Sequence, residues 1–281
     1  MQTVKIVTDS GCDLDSTVAA AHGITIVPLV LNFGKQTYTD DQITREEFWS
    51  RMGGPEHPQT SQPSSGAFYS VFKPLVEAGH KVVCLTLTSK HSGTYNSAWA
   101  AAQEFGGDVV AFDSQTLSLG LGYMALRAAQ AAGEGAEISD IIPLLESIRE
   151  RLKLFILLDT IENLRRGGRA NALMPVLDQV MRALQIKPML TMVEGELKLF
   201  GTPRSFDKGV QRLREAILTR TPAEMLIVVH TRIPEVATSF AHDLAQATGF
   251  HEGSILIGEA GPVLATHAGA GVLAAAVVPQ E

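Results

Sequence analysis

The sequence predicts a two-domain α/β chain, with a parallel sheet in its first half and a mixed sheet in its second. Over residues 1–150, short continuous apolar runs alternate with helical patterns, as in a sheet buried on both faces. In the second half a strand–turn–strand pattern sits among strand–helix units, which implies antiparallel pairing in a sheet that also takes other strands. The chain has 281 residues, 45% hydrophobic and 19% charged, enough for two ordinary domains with sizeable cores.

The elements come in this order. "VKIVTDS", "ITIVPLVLNF", "KVVCLTLTS" and "DVVAFDS" are β-branched and apolar runs that predict four buried strands. "TYNSAWAAAQEF" and "LSLGLGYMALRAAQAA" predict helices after the third and fourth. "GEGAEISD" is a polar break, "IIPLLESIRERLK" a further helix, and the domain boundary falls near residue 150: domains 1–150 and 151–281. Beyond it, "NALMPVLDQVMRALQ" carries Leu173, Val176, Leu177, Val180, Met181 and Leu184 at helical spacing, with Asn171 as a cap. "PMLTMVEGELKLFGTPR" predicts a hairpin turning at Glu194-Gly195. The last segments are "FDKGVQRLREAILTR" (helix), "EMLIVVHT" (strand), "PEVATSFAHDLAQATG" (helix), "SILIGEA" (strand) and "GVLAAAVV" (strand or buried helix).

A net charge of −7 argues against a nucleic-acid binder, which needs a basic face for phosphates. Cys12 and Cys84 are the only cysteines and lie far apart, so neither a disulfide framework nor a zinc knuckle is expected. "VKIVTDS" is too short for a signal peptide, and no apolar run approaches the ~20 residues of a membrane helix. A cytoplasmic protein is expected. GxxxxGK[ST], GxSxG and HExxH are absent. "GLGYMA" (120–125) and "GAGVLA" (269–274) match GxGxxA but lack the strand–helix context of a dinucleotide site. No catalytic residue, metal ligand or cofactor is expected; the chain reads as a binder.

Its polar residues suggest of what. "TSQPSSGAFYSVF" (60–72) reads either as a turn with a helix cap or as a cradle of hydroxyl donors for an anion. Asp9-Ser10, Ser89 and Asp113-Ser114 end three strands; they either face a crevice beyond the sheet or cap the next helices. Ser92-Gly93-Thr94 opens a helix, where free N–H groups and the helix dipole suit an anion and glycine admits a close approach. "NLRRGGRAN" sets Gly167-Gly168 between Arg166 and Arg169, suiting a carboxylate or phosphate, or forming a solvated basic loop. His267 lies in a glycine-rich apolar stretch and is either a core residue or a ligand contact.

Taken in order, "IVTDSGCDL", "IVPLVLNFG", "YTDDQIT", "TSQPSSGAF", "LTLTSKHSGTYNSA", "FDSQTLSLGLGYMA", "ENLRRGGRANAL", "QIKPML", "GELKLFGTPR" and "GPVLATHAGAG" resemble the DegV family of fatty-acid-binding proteins along the whole chain. One departure is Ala270, where members commonly carry proline. The resemblance implies a three-layer N-terminal domain with a parallel sheet, a two-layer C-terminal domain with a mixed sheet, and a long-chain fatty acid between them. It implies that Thr60, Ser61, Ser92, Gly93, Thr94 and His267 hold the carboxylate, leaving Ser64 and Ser65 to the turn and helix start. Arg169 and Arg204 are implied contacts for the carboxylate or for a partner, a separate ATP-dependent fatty acid kinase that would make an acyl phosphate for phospholipid synthesis. The alternative is an α/β enzyme acting on a small phosphorylated or carboxylated metabolite at the same anion site.

Overall fold

The computed structural model describes residues 3–54, 57–169, 171, 173–181 and 186–281, without the side chains of 180 and 181. The chain divides into two compact units, one of residues 1–150 with 261–263 and one of 151–260 with 264–281.

The first unit opens with β1 (Val4–Asp9), α1 (Ser16–Ala21) and β2 (Ile24–Val27). Then come β3 (Val30–Phe33), β4 (Gln36–Thr39), α2 (Arg45–Met52) and β5 (Gln59–Ser61). The remainder is α3 (Ser65–Glu77), β6 (Lys81–Thr86), α4 (Thr94–Ala102), β7 (Val109–Asp113), α5 (Leu119–Gly133) and α6 (Ile138–Arg151), which runs up to the division between the units. A parallel sheet has the order β2-β1-β6-β7. Val7, Val27, Val82, Cys84 and Val109 pack with Phe68 and Phe72 of α3 and Ala98 of α4 in one core, while α5 packs along β1, β2 and β6. Burial on both sides accounts for the unbroken apolar runs.

"ITIVPLVLNF" is not one strand. It splits into β2, at the edge of the parallel sheet, and β3, the centre of a separate antiparallel sheet β4-β3-β5. Pro28 lies between them and has no N–H to give to a ladder, so a continuous strand is broken there.

The second unit holds β8 (Lys153–Leu157), α7 (Glu162–Gly167), α8 (Met174–Met181), β9 (Met189–Val193) and β10 (Glu196–Gly201). It continues with α9 (Phe206–Leu218), β11 (Ala223–His230), α10 (Pro234–Thr248), β12 (Leu256–Glu259), α11 (Pro262–Ala268, whose first two residues fall in the first unit) and β13 (Leu273–Pro279). Its sheet is mixed, β10-β9-β8-β13-β11-β12, with β11 and β12 parallel and the other pairs antiparallel. "GVLAAAVV" is thus a strand, paired on both edges. The β9–β10 hairpin turns at Glu194 (φ 50) and Gly195 (φ 80), two left-handed residues in succession, as a two-residue turn between twisted strands requires. Leu213 and Ile217 of α9 and Phe240 and Leu244 of α10 bury against Leu157, Leu226, Val228 and Val277. The helical stripe expected over 173–184 holds in part: Leu173 and Leu177 are buried, but Val176 is 44% exposed. The side chains of Val180, Met181 and Leu184 lie outside the described residues. The helix starts at Met174, too late for Asn171 to cap it; the Asn171 carbonyl instead accepts from the Met174 N–H.

Candidate functional site

The hydroxyl run of residues 60–65 divides between two tasks. Thr60 and Ser61 lie on β5, paired with Leu31 and Val30 of β3, and both are half-buried. Past Pro63, Ser64 is the N-cap of α3: its Oγ accepts from the Ala67 N–H at 3.2 Å, and Ser65 is the first helical residue. An uncapped helix start leaves donors unpaired, so Ser64 is committed to the backbone.

At the end of β6 the Thr88 Oγ1 accepts from the Lys90 N–H, and the chain turns into α4. Ser92 Oγ and Thr94 Oγ1 are 2.8 Å apart, and Ser92 Oγ also accepts from the Thr94 N–H at 3.3 Å. Thr94 is buried and Ser92 half-buried. The N-cap of α4 is Gly93, which has no side chain to close the helix start; the neighbouring Ser92 hydroxyl takes the Thr94 N–H instead. The expected reason for Gly93 needs correcting. A Cβ there would lie 2.9 Å from Gln62 Nε2 and 3.0 Å from Gln62 Cδ, so its space is filled by a carboxamide of the chain itself. That contact brings the "TSQP" and "SGT" segments together. Gln62, exposed and able to donate two N–H bonds, was not singled out from the sequence; its place beside two hydroxyl motifs was the only signal.

Of the strand-end groups expected to cap the next helices, only Asp9 does so, at the short 3-10 turn Ser10–Cys12; Asp113 and Ser114 bond loop backbone. Asp9 is fully buried, with Oδ1 accepting from the Gly11 N–H and Oδ2 from the Leu87 N–H, both at 2.8 Å. Asp113 Oδ1 accepts from the Ser89 and Gln115 N–H groups at 3.1 and 3.0 Å. Ser114 Oγ accepts from the Thr116 N–H, and Ser10 Oγ accepts from the Leu29 N–H and donates to Asp40. These groups tie loops to strands.

Asp13 completes a second cluster. Its Oδ1 accepts from the Gly261 N–H at 2.9 Å and its Oδ2 from the Ser118 hydroxyl. Asp13 and Ser118 both hold positive φ (51 and 55), a conformation L side chains keep only when their surroundings impose it. Asp40 accepts from Ser10 and from the Val263 N–H. Burial pushes the Asp9 and Asp13 carboxyls up to about 7 and Asp40 up to about 6, against the pull of these hydrogen bonds. Among the described residues, no group of three or more His, Cys, Asp or Glu is arranged to hold a metal ion.

In the second unit His267 sits in the last turn of α11, half-exposed, with its Nδ1 buried. Its ring lies against Gly167, the last residue of α7, so the arginine–glycine and histidine–glycine motifs, read separately from the sequence, are in contact. Arg165 is committed to Glu162 at 2.7 Å and Asp178 at 2.5 Å. Arg169 and Arg204 are exposed, and Arg204 makes no hydrogen bond or ion pair among the described residues.

Comparison with known proteins bears on what these residues serve. The sequence profile of the family described as "Uncharacterised protein, DegV family" matches residues 3–280. A DegV domain-containing protein of Staphylococcus aureus is 31% identical over 277 residues, covering 97% of this chain and 98% of its own. Among solved structures, a DegV family protein from Thermus thermophilus described by its fatty acid binding superposes with a TM-score of 0.89 at 30% identity, covering 99% of this chain and all of the other. DegV from Bacillus subtilis, a fatty acid binding protein, gives a TM-score of 0.87 at 26% identity with both chains fully covered. A stearic acid-binding protein from Eubacterium ventriosum gives 0.85 at 25% identity, over 99% and 98% of the two chains.

Proposed function

This chain belongs to the DegV family, and on that premise we propose that it binds a long-chain fatty acid by its carboxylate. One observation carries the reading: the Gln62–Gly93 contact, which joins the segment bearing Thr60 and Ser61 to the segment bearing Ser92 and Thr94 at a helix start whose N-cap is a glycine. A carboxylate leaving water needs several donors, and hydroxyls beside open N–H groups supply them without a competing negative charge. His267 is a further residue we assign to ligand contact. The acyl chain would add roughly 0.8 kcal/mol per buried methylene, less the cost of ordering it. The relatives that bind fatty acids support the ligand class.

The test is to purify the protein, extract it with organic solvent and identify the lipid by mass spectrometry. A stoichiometric long-chain fatty acid is the expected result. Protein that carries none, and that fails to bind a fluorescent fatty acid after delipidation, would sink the reading and favour a small carboxylated or phosphorylated metabolite.

The second part of the proposal is that the bound carboxylate is presented to a separate ATP-dependent kinase. Its support is the family resemblance together with Arg169 and Arg204, exposed guanidinium groups on a chain of net charge −7, which could steer an acidic partner surface. Reversing either charge should slow acyl-phosphate formation by such a kinase at low salt while fatty-acid affinity stays unchanged. Normal phosphorylation of both variants would remove the arginines from docking.

A further inference from the structure

Helices α9 and α10 pack against each other and against one face of the mixed sheet, where their inward stripes supply the core. Not all of their apolar side chains are committed there. Phe206 and Val210 of α9 and Val236 and Phe240 of α10 line an open groove of about 630 Å³ between the two helices. Each pair is four residues apart and so lies along one face of its helix. Phe240 is buried, Phe206 and Val210 are half-buried, and Val236 is 37% exposed. Every residue that lines the groove belongs to these two helices, and so to the second unit alone.

The lining is acidic. Asp207, Glu235 and Asp243 face the groove against one cation, Arg214, whose Nε is already committed to Asp243 at 2.5 Å. That leaves Asp207 and Glu235, both exposed, and neither carboxylate has a hydrogen bond or ion pair among the described residues. A second hollow continues past Glu235 and Ser239 to His242 and Glu252, where the histidine is engaged by Glu252 at 3.0 Å. An acid in the first turn suits the dipole of each helix. The dipole gives no reason for apolar side chains to stand in water between those acids.

We propose that this groove is a docking surface for a basic amphipathic helix of another protein. Two physical arguments select that occupant. The walls are helices whose backbone groups are bonded internally, so they offer no ladder to an extended peptide. A helix satisfies its own backbone and can lay apolar residues at i and i+4 between Phe206 and Val236. Charge selects the sign, because lysines or arginines beside that apolar stripe would pair with Asp207 and Glu235. A second copy of this chain is the poorer occupant, since each copy brings a net charge of −7 to an acidic surface. The groove is opposite in sign to Arg169 and Arg204, so it recognises a different partner chemistry. It does not depend on the fatty-acid reading.

The test uses the full chain and a fluorescein-labelled synthetic helix about 15 residues long, with leucine along one face and lysine along the other. Fluorescence anisotropy should show saturable binding that weakens as salt is raised. Glu235→Lys should weaken it roughly threefold to tenfold, through a lost ion pair and a new like-charge contact. Val236→Ser, at an exposed position outside the core, should weaken it roughly tenfold by removing an apolar contact. Glu104→Lys, at an exposed acid of the first unit, is the control and should leave binding unchanged. Equal weakening by Glu104→Lys and Glu235→Lys would overturn the proposal, because the probe would then be reading net charge alone. A probe that does not bind, or that binds Val236→Ser as tightly as wild type, would also sink it. So would concentration-dependent dimers in sedimentation that Val236→Ser dissolves, since a second copy would then be the occupant.

Discussion

The hydroxyls and the carboxylates of the first unit both gather around the ends of strands, yet the structure uses them in opposite ways. Asp9 spends both oxygens on backbone N–H groups, one of them 78 residues away, and is sealed from solvent. Thr60, Ser61 and Ser92 stay half-buried, and the helix that follows Ser92 has a glycine as its N-cap. The difference follows from charge and capacity. A carboxylate has two strong acceptors and no donor, so it suits a buried junction where several N–H groups converge. Burial then raises its proton affinity, as the value of about 7 for Asp9 shows. A hydroxyl can donate, carries no charge to desolvate, and can wait at an open edge for an anion. Polar residues at strand ends are thus no guide to a site until their backbone partners are known.

The contrast is broken most severely by removing the buried acceptor. Asp9→Ala should strand two N–H groups at about 1–3 kcal/mol each, costing roughly 2–6 kcal/mol in chemical denaturation. A variant of normal stability and altered lipid affinity would move Asp9 out of the structural class and into the cradle.

Next in size is the response to pH. Folding raises the Asp9 carboxyl from 3.8 to about 7, so between those values the folded state holds a proton that the unfolded chain has released. The contribution is complete below about pH 4 and is lost as pH rises through 7, up to about 4 kcal/mol. Denaturation curves from pH 4 to 8 should show wild type losing stability relative to Asp9→Asn over that window. Parallel profiles for the two proteins would mean the carboxyl remains ionised in the fold.

The cradle has the reverse signature. Ser92→Ala should weaken fatty-acid binding by about 1–3 kcal/mol, while folding stability changes by less than about 1 kcal/mol, the scale of one local cap. Unchanged affinity in a displacement titration would leave Ser92 as a turn residue only. The smallest effect sharpens the division inside the hydroxyl run: Ser64→Ala should cost about 1 kcal/mol of stability as a lost N-cap and leave lipid affinity as it was. Weaker lipid binding there would show that Ser64 serves the ligand after all.

Legibility tracked sequence distance. Ser64 as a cap could be read from its neighbours, because its acceptor and donor are three residues apart. So could the Glu194-Gly195 turn and the helices of α9 and α10, whose apolar spacing is local. The split of "ITIVPLVLNF" was present as Pro28 but was outweighed by the apolar run around it. Val176 fitted the stripe of α8 and is exposed all the same, since a period says which residues share a face and not how wide the buried part is. Gln62 gave no signal beyond its place in the hydroxyl run, because an amide becomes notable only when a glycine from another loop opens beside it.

By itself the sequence determined the helical periods, the buried strands, most of the turns and, through ten motifs in register, the family. Those features rest on interactions a few residues long and on patterns kept along the whole chain. Only the tertiary structure decided which polar groups are spent and which are available. The partner of Asp9 is the Leu87 N–H, that of Gly93 is Gln62, and that of Gly167 is a histidine 100 residues further on. A hydrogen bond or a van der Waals seat acts over about 3 Å, and nothing in the linear order of residues says which groups the fold will bring within that reach.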